Sequence, residues 1–217
     1  MPSWGQPATE VAPPPVRAGV GSRTTVFVEE ITQLRDGTLV RLRPVTSEDR
    51  PRVLEFLEHL SPYSLELRYS SAMPREHVAA EILTTADRAH RLSLLLEIIE
   101  PGRERVIAHG ELVRLADHPS RAEVAFLVSD DRRGLGAATQ LLWGLARRAR
   151  EAGIRRFEAM VRGDNRAMID VFVGAGFPCS ISWHEGEGAV LLDIGHEPSI
   201  AIAVREPAPT SGRLATA

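Results

Sequence analysis

No lysine occurs in the 217 residues; every one of the 26 positions counted as lysine or arginine is arginine. Two readings of that absence stand side by side. One is a coding sequence that favours arginine codons. The other is an enzyme that modifies lysine and carries none of its own. Cysteine occurs once, at Cys179, which excludes an intrachain disulfide and any cysteine-built metal site. Following "VGAGFP", it reads as a small packed hydrophobe and not a nucleophile. No apolar run approaches the ~20 residues that span a bilayer, and the N-terminus lacks the basic start and apolar core of a secretory signal. The expected compartment is therefore the cytosol, with no membrane partner. Net charge is -3, so the excess of positive charge that nonspecific nucleic-acid binding needs is also missing.

What is present is an ordinary globular composition, 43% hydrophobic and 25% charged, in a chain long enough for one domain with a core. "VAPPPVRAG" disfavours helix and sheet alike. Residues 1–35 therefore read as a mostly disordered leader, in which "TTVFVEEI" can form a short strand or helix that docks. Residues 197–217, ending in "REPAPTSGRLATA", read as a loose tail. Between them lies one domain, residues 36–196.

Within it, strands and helices alternate. "TLVRLRPV" reads as a strand. Thr46 or Ser47 caps the helix "EDRPRVLEFLEHL". Ser61 and Pro62 start the helix "SPYSLELRY", and "PREHVAAEILTT" forms another. "RLSLLLEII" and "RVIAHGELVRL" are strands joined by "EPGRER". "AEVAFLV" is a strand, "TQLLWGLARRAREAG" an amphipathic helix ended by Gly153, and "RRFEAMV" a strand. "NRAMIDVFVGAG" is a helix, and "CSISWHEG" with "EGAVLLDI" makes a closing hairpin. The sum is an α/β (α+β) domain with a mixed, mostly antiparallel sheet of six or seven strands flanked by helices.

Between "AEVAFLV" and its helix lies "SDDRRGLGAA". The N–H groups that open a helix have no partner inside it, and the helix dipole adds partial positive charge there. Gly134 and Gly136 remove the Cβ atoms that would keep a phosphate away. Arg132 and Arg133 can add charge-assisted hydrogen bonds. The turn thus reads as an anion cradle. The Gly-Lys-Ser/Thr ending of a P-loop and the third glycine of a dinucleotide fingerprint are both missing. A plain strand-to-helix turn with solvated arginines is the competing reading.

The stretch from "AEVAFLV" through "VFVGAGF" resembles the acetyl-CoA-binding half of the GNAT N-acetyltransferases. Their phosphate loop, Gln/Arg-x-x-Gly-x-Gly/Ala, aligns with Asp131-Arg132-Arg133-Gly134-Leu135-Gly136, where Asp131 departs from the pattern. Their second signature, an Asn and then a helix ending in Gly-Phe, is met by Asn165 and Gly176-Phe177. Leu60-Ser61-Pro62-Tyr63-Ser64 with Arg68 is similar to a segment of the bacterial protein lysine acetyltransferases and of acetyltransferase domains fused to acyl-CoA synthetases.

The resemblance implies the GNAT fold and acyl transfer from acetyl-CoA to a primary amine, a protein lysine or a small molecule, without a metal. Oligomeric state is expected to be monomer or homodimer. A neutral amine must first be made from an ammonium of pKa ~10, and the subgroup's "Ala-Glu-x-Ala" strand gives Glu123 the role of general base. Glu123 shares its strand face with Ala125 and Leu127, where burial would raise its pKa; a solvated glutamate is the competing reading. The resemblance gives Phe126, Leu127 and Val128 to the pantetheine arm and the developing oxyanion. It gives Arg132, Arg133, Gly134, Leu135, Gly136, Ala137 and Ala138 to the pyrophosphate. Asn165 bonds the pantetheine or a water, or simply caps its helix.

Phe172 stands where many relatives have a tyrosine acid. It cannot donate a proton and is left to pack against the donor. His109 reads as a structural histidine that could face the same cleft. Trp183 and His184 could line the acceptor site, or pack at an edge. An acyl-CoA sensor without turnover is the alternative function, favoured by Asp131 and the missing tyrosine.

Overall fold

In a computed structural model that describes residues 29–69, 76–84, 90–100 and 103–199, the alternating segments form eight strands and five helices. The strands are β1 (Glu30–Gln33), β2 (Leu39–Pro44), β3 (Arg91–Glu100), β4 (Arg103–Leu115), β5 (His118–Val128), β6 (Arg156–Arg162), β7 (Cys179–His184) and β8 (Glu187–Asp193). They make one sheet in the order β1-β2-β3-β4-β5-β6-β8-β7. Among the described strands only β5 and β6 run parallel; the other neighbours are antiparallel.

The count exceeds the expected six or seven because of β1, which pairs with β2 through Glu30–Leu42 and Gln33–Leu39. β1 lies inside the segment read as a leader, so the sheet begins before the boundary drawn at residue 35. Most of that leader, the tail beyond Ser199 and the tip of the "EPGRER" turn lie outside the described residues.

Helices cover both faces. α1 (Arg50–Glu58), α2 (Pro62–Tyr69) and α3 (Glu76–Thr84) lie on one, and α4 (Ala137–Glu151) and α5 (Arg166–Gly174) on the other. α1 is entered through a 3-10 turn, Ser47–Asp49, where the Asp49 carboxylate accepts from Thr46 N at 2.8 Å. The period-two alternation of β5 divides its side chains between two cores. Ala122, Val124 and Phe126 pack with Leu141, Leu142 and Leu145 of α4, while Leu127 packs with Val53, Phe56 and Leu57 of α1. α4 sits close: a Cβ on Gly144 would lie 2.5 Å from Leu42 Cδ2.

Arg41 and Arg43, interleaved along β2, meet the fully buried Glu97 of β3. Arg43 also reaches Asp49 at 2.6 Å, and Arg52 adds a 2.8 Å contact to Glu97. A buried carboxylate persists only when paired in this way. Among the described residues no helix is long and apolar enough to cross a membrane, and no cluster of histidine, cysteine or acidic residues could hold a metal.

Candidate active site

β5 and β6 pair only through Arg121–Arg156, Ala122–Phe157 and Glu123–Glu158. Both strands continue beyond that point, to Val128 and Arg162, and diverge. A cleft of about 950 Å³ opens between them, lined by residues 123–128 of β5, residues 159–162 of β6, the glycine turn and the start of α5.

The main chain of β5 supplies hydrogen-bonding groups to this fork. Ser129 N bonds Ile107 O at 2.8 Å, in the same register that pairs His109 with Leu127 and Glu111 with Ala125. Antiparallel ladders alternate, so Leu127 and Ala125 bond to β4. The N–H and C=O groups of Val124, Phe126 and Val128 then point at the gap.

Glu123 is the last paired residue before the fork. Its side chain is exposed at the cleft rim, as in the competing reading of a solvated glutamate. Among the described residues no hydrogen bond or ion pair engages its carboxylate. The neighbouring Glu158 differs, since it pairs with Arg121 at 3.0 Å.

At the other end of the cleft, the strand-to-helix turn takes the form its glycines require. Gly134 has φ +74° and Gly136 φ +93°, a region that L side chains pay to enter. A Cβ on Gly134 would project into open space, so the approach to the main chain there is clear. Gly136 is the N-cap of α4, and the first amides of α4 open towards the cleft through Ala137 and Ala138. Leu135 does otherwise: it packs on the core, and its carbonyl accepts from Arg35 N at 3.1 Å. Arg35 also donates to Gly134 O at 3.2 Å. Arg35, which no local pattern along the chain singles out, thus clamps the turn from the β1–β2 loop.

Both arginines of the turn line the cleft, each beside a carboxylate. Arg132 lies 3.3 Å from Asp131 and 3.6 Å from Asp36. Arg133 lies 3.0 Å from Asp130. The hydrogen bond from Arg105 holds the Asp131 carboxyl below the usual carboxylate range, with Arg105 and Arg132 adding charge attraction.

Asn165 caps α5, its side chain accepting from Met168 N at 3.2 Å. Phe172 is 1% exposed and meets Phe126 edge-to-face, with ring centroids 6.2 Å apart. It forms packed floor beneath the fork. His109 is fully buried away from the cleft, and burial lowers its pKa to about 4. Cys179 is half-buried against the larger core, and burial raises its thiol pKa. Trp183 lies over Gly188 outside the cleft, and His184 is exposed. The structure therefore brings together Glu123, Phe126, Leu127, Val128, Arg132, Arg133, Gly134, Gly136, Ala137, Ala138, Asn165 and Phe172 around one cleft. Leu135, His109, Trp183 and His184 stay outside it. Ser64 and Arg68, to which the resemblance attached no role, line it from α2.

The acetyltransferase (GNAT) family model matches residues 54–177. The chain is 30% identical over 177 residues to the acetyltransferase Pat of Mycolicibacterium smegmatis, covering 81% of this chain and 52% of that protein. It thus spans about half the length of that relative. It is 28% identical over 148 residues to the acetyltransferase PA5475 of Pseudomonas aeruginosa, covering 68% and 79% of the two chains. Among solved structures, the GNAT domain of S. lividans PAT superposes with a TM-score of 0.66 at 34% identity, covering 76% of this chain and 96% of that one.

Proposed function

Since this chain belongs to the acetyltransferase (GNAT) family, we propose that its cleft carries acyl transfer from acetyl-CoA to a primary amine, with a protein lysine as the acceptor. The observation that carries this reading is the free carboxylate of Glu123 on the last rung before β5 and β6 part.

An acyl-CoA thioester supplies an activated carbonyl and a leaving group that departs readily as a thiolate. The protein's own groups supply the rest. Glu123 takes a proton from the acceptor ammonium, directly or through a water, which frees the lone pair that attacks. The unpaired main-chain groups of Val124, Phe126 and Val128 hold the donor's amide-bearing arm. One of their N–H groups meets the negative charge that grows on the thioester oxygen. The open amides of Gly134, Gly136, Ala137 and Ala138, with Arg132 and Arg133, hold the pyrophosphate. Phe172 has no proton to give, so the thiolate leaves without a tyrosine acid.

A sensor without turnover drew support from Asp131, whose charge stands beside the phosphate turn. Arg105 and Arg132 answer that charge, and the ground for the sensor narrows to Phe172. The test is acetyl-CoA with a panel of lysine peptides and small amines, read by thiol release and by a mass gain of one acetyl group. Transfer to any acceptor supports the enzyme. Thermal stabilisation by CoA without transfer across the panel supports the sensor, and no stabilisation overturns both.

A further inference from the structure

α2 is tied to the cleft at both ends by polar side chains that acyl transfer does not by itself require. At its N-terminal end, Asp130 of the turn accepts from Ser61 N at 2.8 Å, Ser61 Oγ at 3.1 Å and Ser64 Oγ at 2.7 Å. Burial opposes the Asp130 charge, yet these bonds keep its carboxyl below the usual range. At the C-terminal end, Arg68 pairs with the buried Glu111 of β4, whose register partner on β5 is Ala125. Between the two ties, Tyr63 and Leu67 face the cleft. Ser61, Ser64 and Arg68 are the polar residues of the "LSPYSLELR" segment, so its spacing has a structural cause.

Arg133 links α2 to the phosphate turn. It is one residue before Gly134, and its Nη2 pairs with Asp130 and donates to Ser64 Oγ. Its guanidinium lies 6.0 Å from the Tyr63 ring centroid. A guanidinium carries five N–H donors in a fixed fork. Here only Nη2 is engaged among the described residues, which leaves Nε and Nη1 open beside the glycine turn.

We propose that Arg133 and Ser64 are positioning residues that form a strut between the phosphate turn and α2. An anion on the turn takes the open donors of Arg133 and fixes the guanidinium at both ends. The strut then orders α2, the wall that Tyr63 and Leu67 present to the cleft, so donor binding shapes the place where the acceptor lies. This rests on the reading of the turn as the donor's pyrophosphate site. Ligand binding that orders a segment is a coupling between sites, and it needs a physical link of this kind.

Hydrogen–deuterium exchange on the full chain, with and without saturating CoA, tests the proposal. In the wild type, CoA slows the amides of residues 63–69 by on the order of tenfold, the factor that one charge-assisted hydrogen bond contributes to a local opening equilibrium. In Ser64→Ala, CoA still protects residues 134–138, but its effect on residues 63–69 falls below about twofold. Asp130→Asn provides a second variant with the same expected pattern, should Ser64→Ala fail to fold.

Protection of residues 63–69 that survives both variants overturns the strut. So does exchange there that is unchanged or faster when CoA binds the wild type, the latter meaning that the anion pulls Arg133 off Asp130. No protection at residues 134–138 in the wild type would instead remove the donor reading, and the strut with it.

Discussion

Arg105, on the third residue of β4, donates from Nη2 to Asp131 Oδ2 at 2.9 Å. Asp131 is the residue of the turn that departs from the family pattern, and this contact turns its charge into one half of an ion pair on the rim. Exposed pairs of this kind contribute about 0–1 kcal/mol. Asp131→Asn is therefore expected to change CoA affinity by less than about fivefold, measured by isothermal titration. Arg105→Ala, which leaves Arg132 alone to answer the carboxylate beside the phosphate turn, weakens binding more. A large tightening in Asp131→Asn would show that the carboxylate repels the donor despite Arg105.

Glu123→Gln removes a base and keeps the shape of the rim. The turnover number is expected to fall by about 100-fold or more, while the dissociation constant for CoA stays at the wild-type value. Thiol release with a lysine peptide and a CoA titration check the two halves separately. Wild-type turnover in this variant takes the role of base away from Glu123.

Asn165→Ala separates a cap from a donor contact. The hydrogen bond to Met168 N makes the cap, and its loss costs about 1 kcal/mol, or a drop of roughly 2–4 °C in Tm. CoA affinity is expected to hold. A tenfold loss of affinity with Tm unchanged would make Asn165 a ligand of the donor.

His109 sets a pH dependence of stability. Its folded pKa, about 4, lies below the unfolded value of 6.5, so the unfolded chain takes up the proton first. The folded state carries no penalty above neutral pH and loses stability as pH falls from 6.5 towards 4. Between pH 7.5 and pH 5 the loss is about 2 kcal/mol. Glu111, Arg68 and Arg91 are the charged groups acting on the ring. Urea unfolding at the two pH values should show this slope in the wild type and a flatter one in His109→Leu. An imidazole that titrates near 6.5 by NMR in the folded protein would contradict it.

The strands and helices were legible because each carries its own periodicity. The alternation of "AEVAFLV" placed Val124 and Phe126 on one face and Leu127 on the other, as the two cores require. The glycines of the turn were legible because positive φ demands them. β1 was legible only in part, at the end of the docking element "TTVFVEEI", since four residues paired at an edge leave too short a pattern to place it in the sheet. Arg35 was not legible, since its partners at Gly134 and Leu135 lie about a hundred positions away along the chain. The choice between a buried and a solvated Glu123 stayed open as well, because it depends on where β6 turns from β5, and no local pattern records a divergence between strands distant in sequence. Ser64 and Arg68 stood in plain view as a spacing, but their partners, Asp130 and Glu111, come from other elements.

The eight strands are a single sheet only by virtue of three residue pairs between β5 and β6. On one side of that seam lie five strands, on the other three. Ala122 and Phe157, both fully buried, sit at its middle rung. The molecule is thus two plates joined along a short weld, with the mouth of the cleft starting where the weld stops. A change that shortens the weld by one rung deepens the cleft and moves its floor past Glu123. A change that lengthens it closes the main chain of Val124 against β6. The reach of whatever enters is set by where two strands stop holding each other.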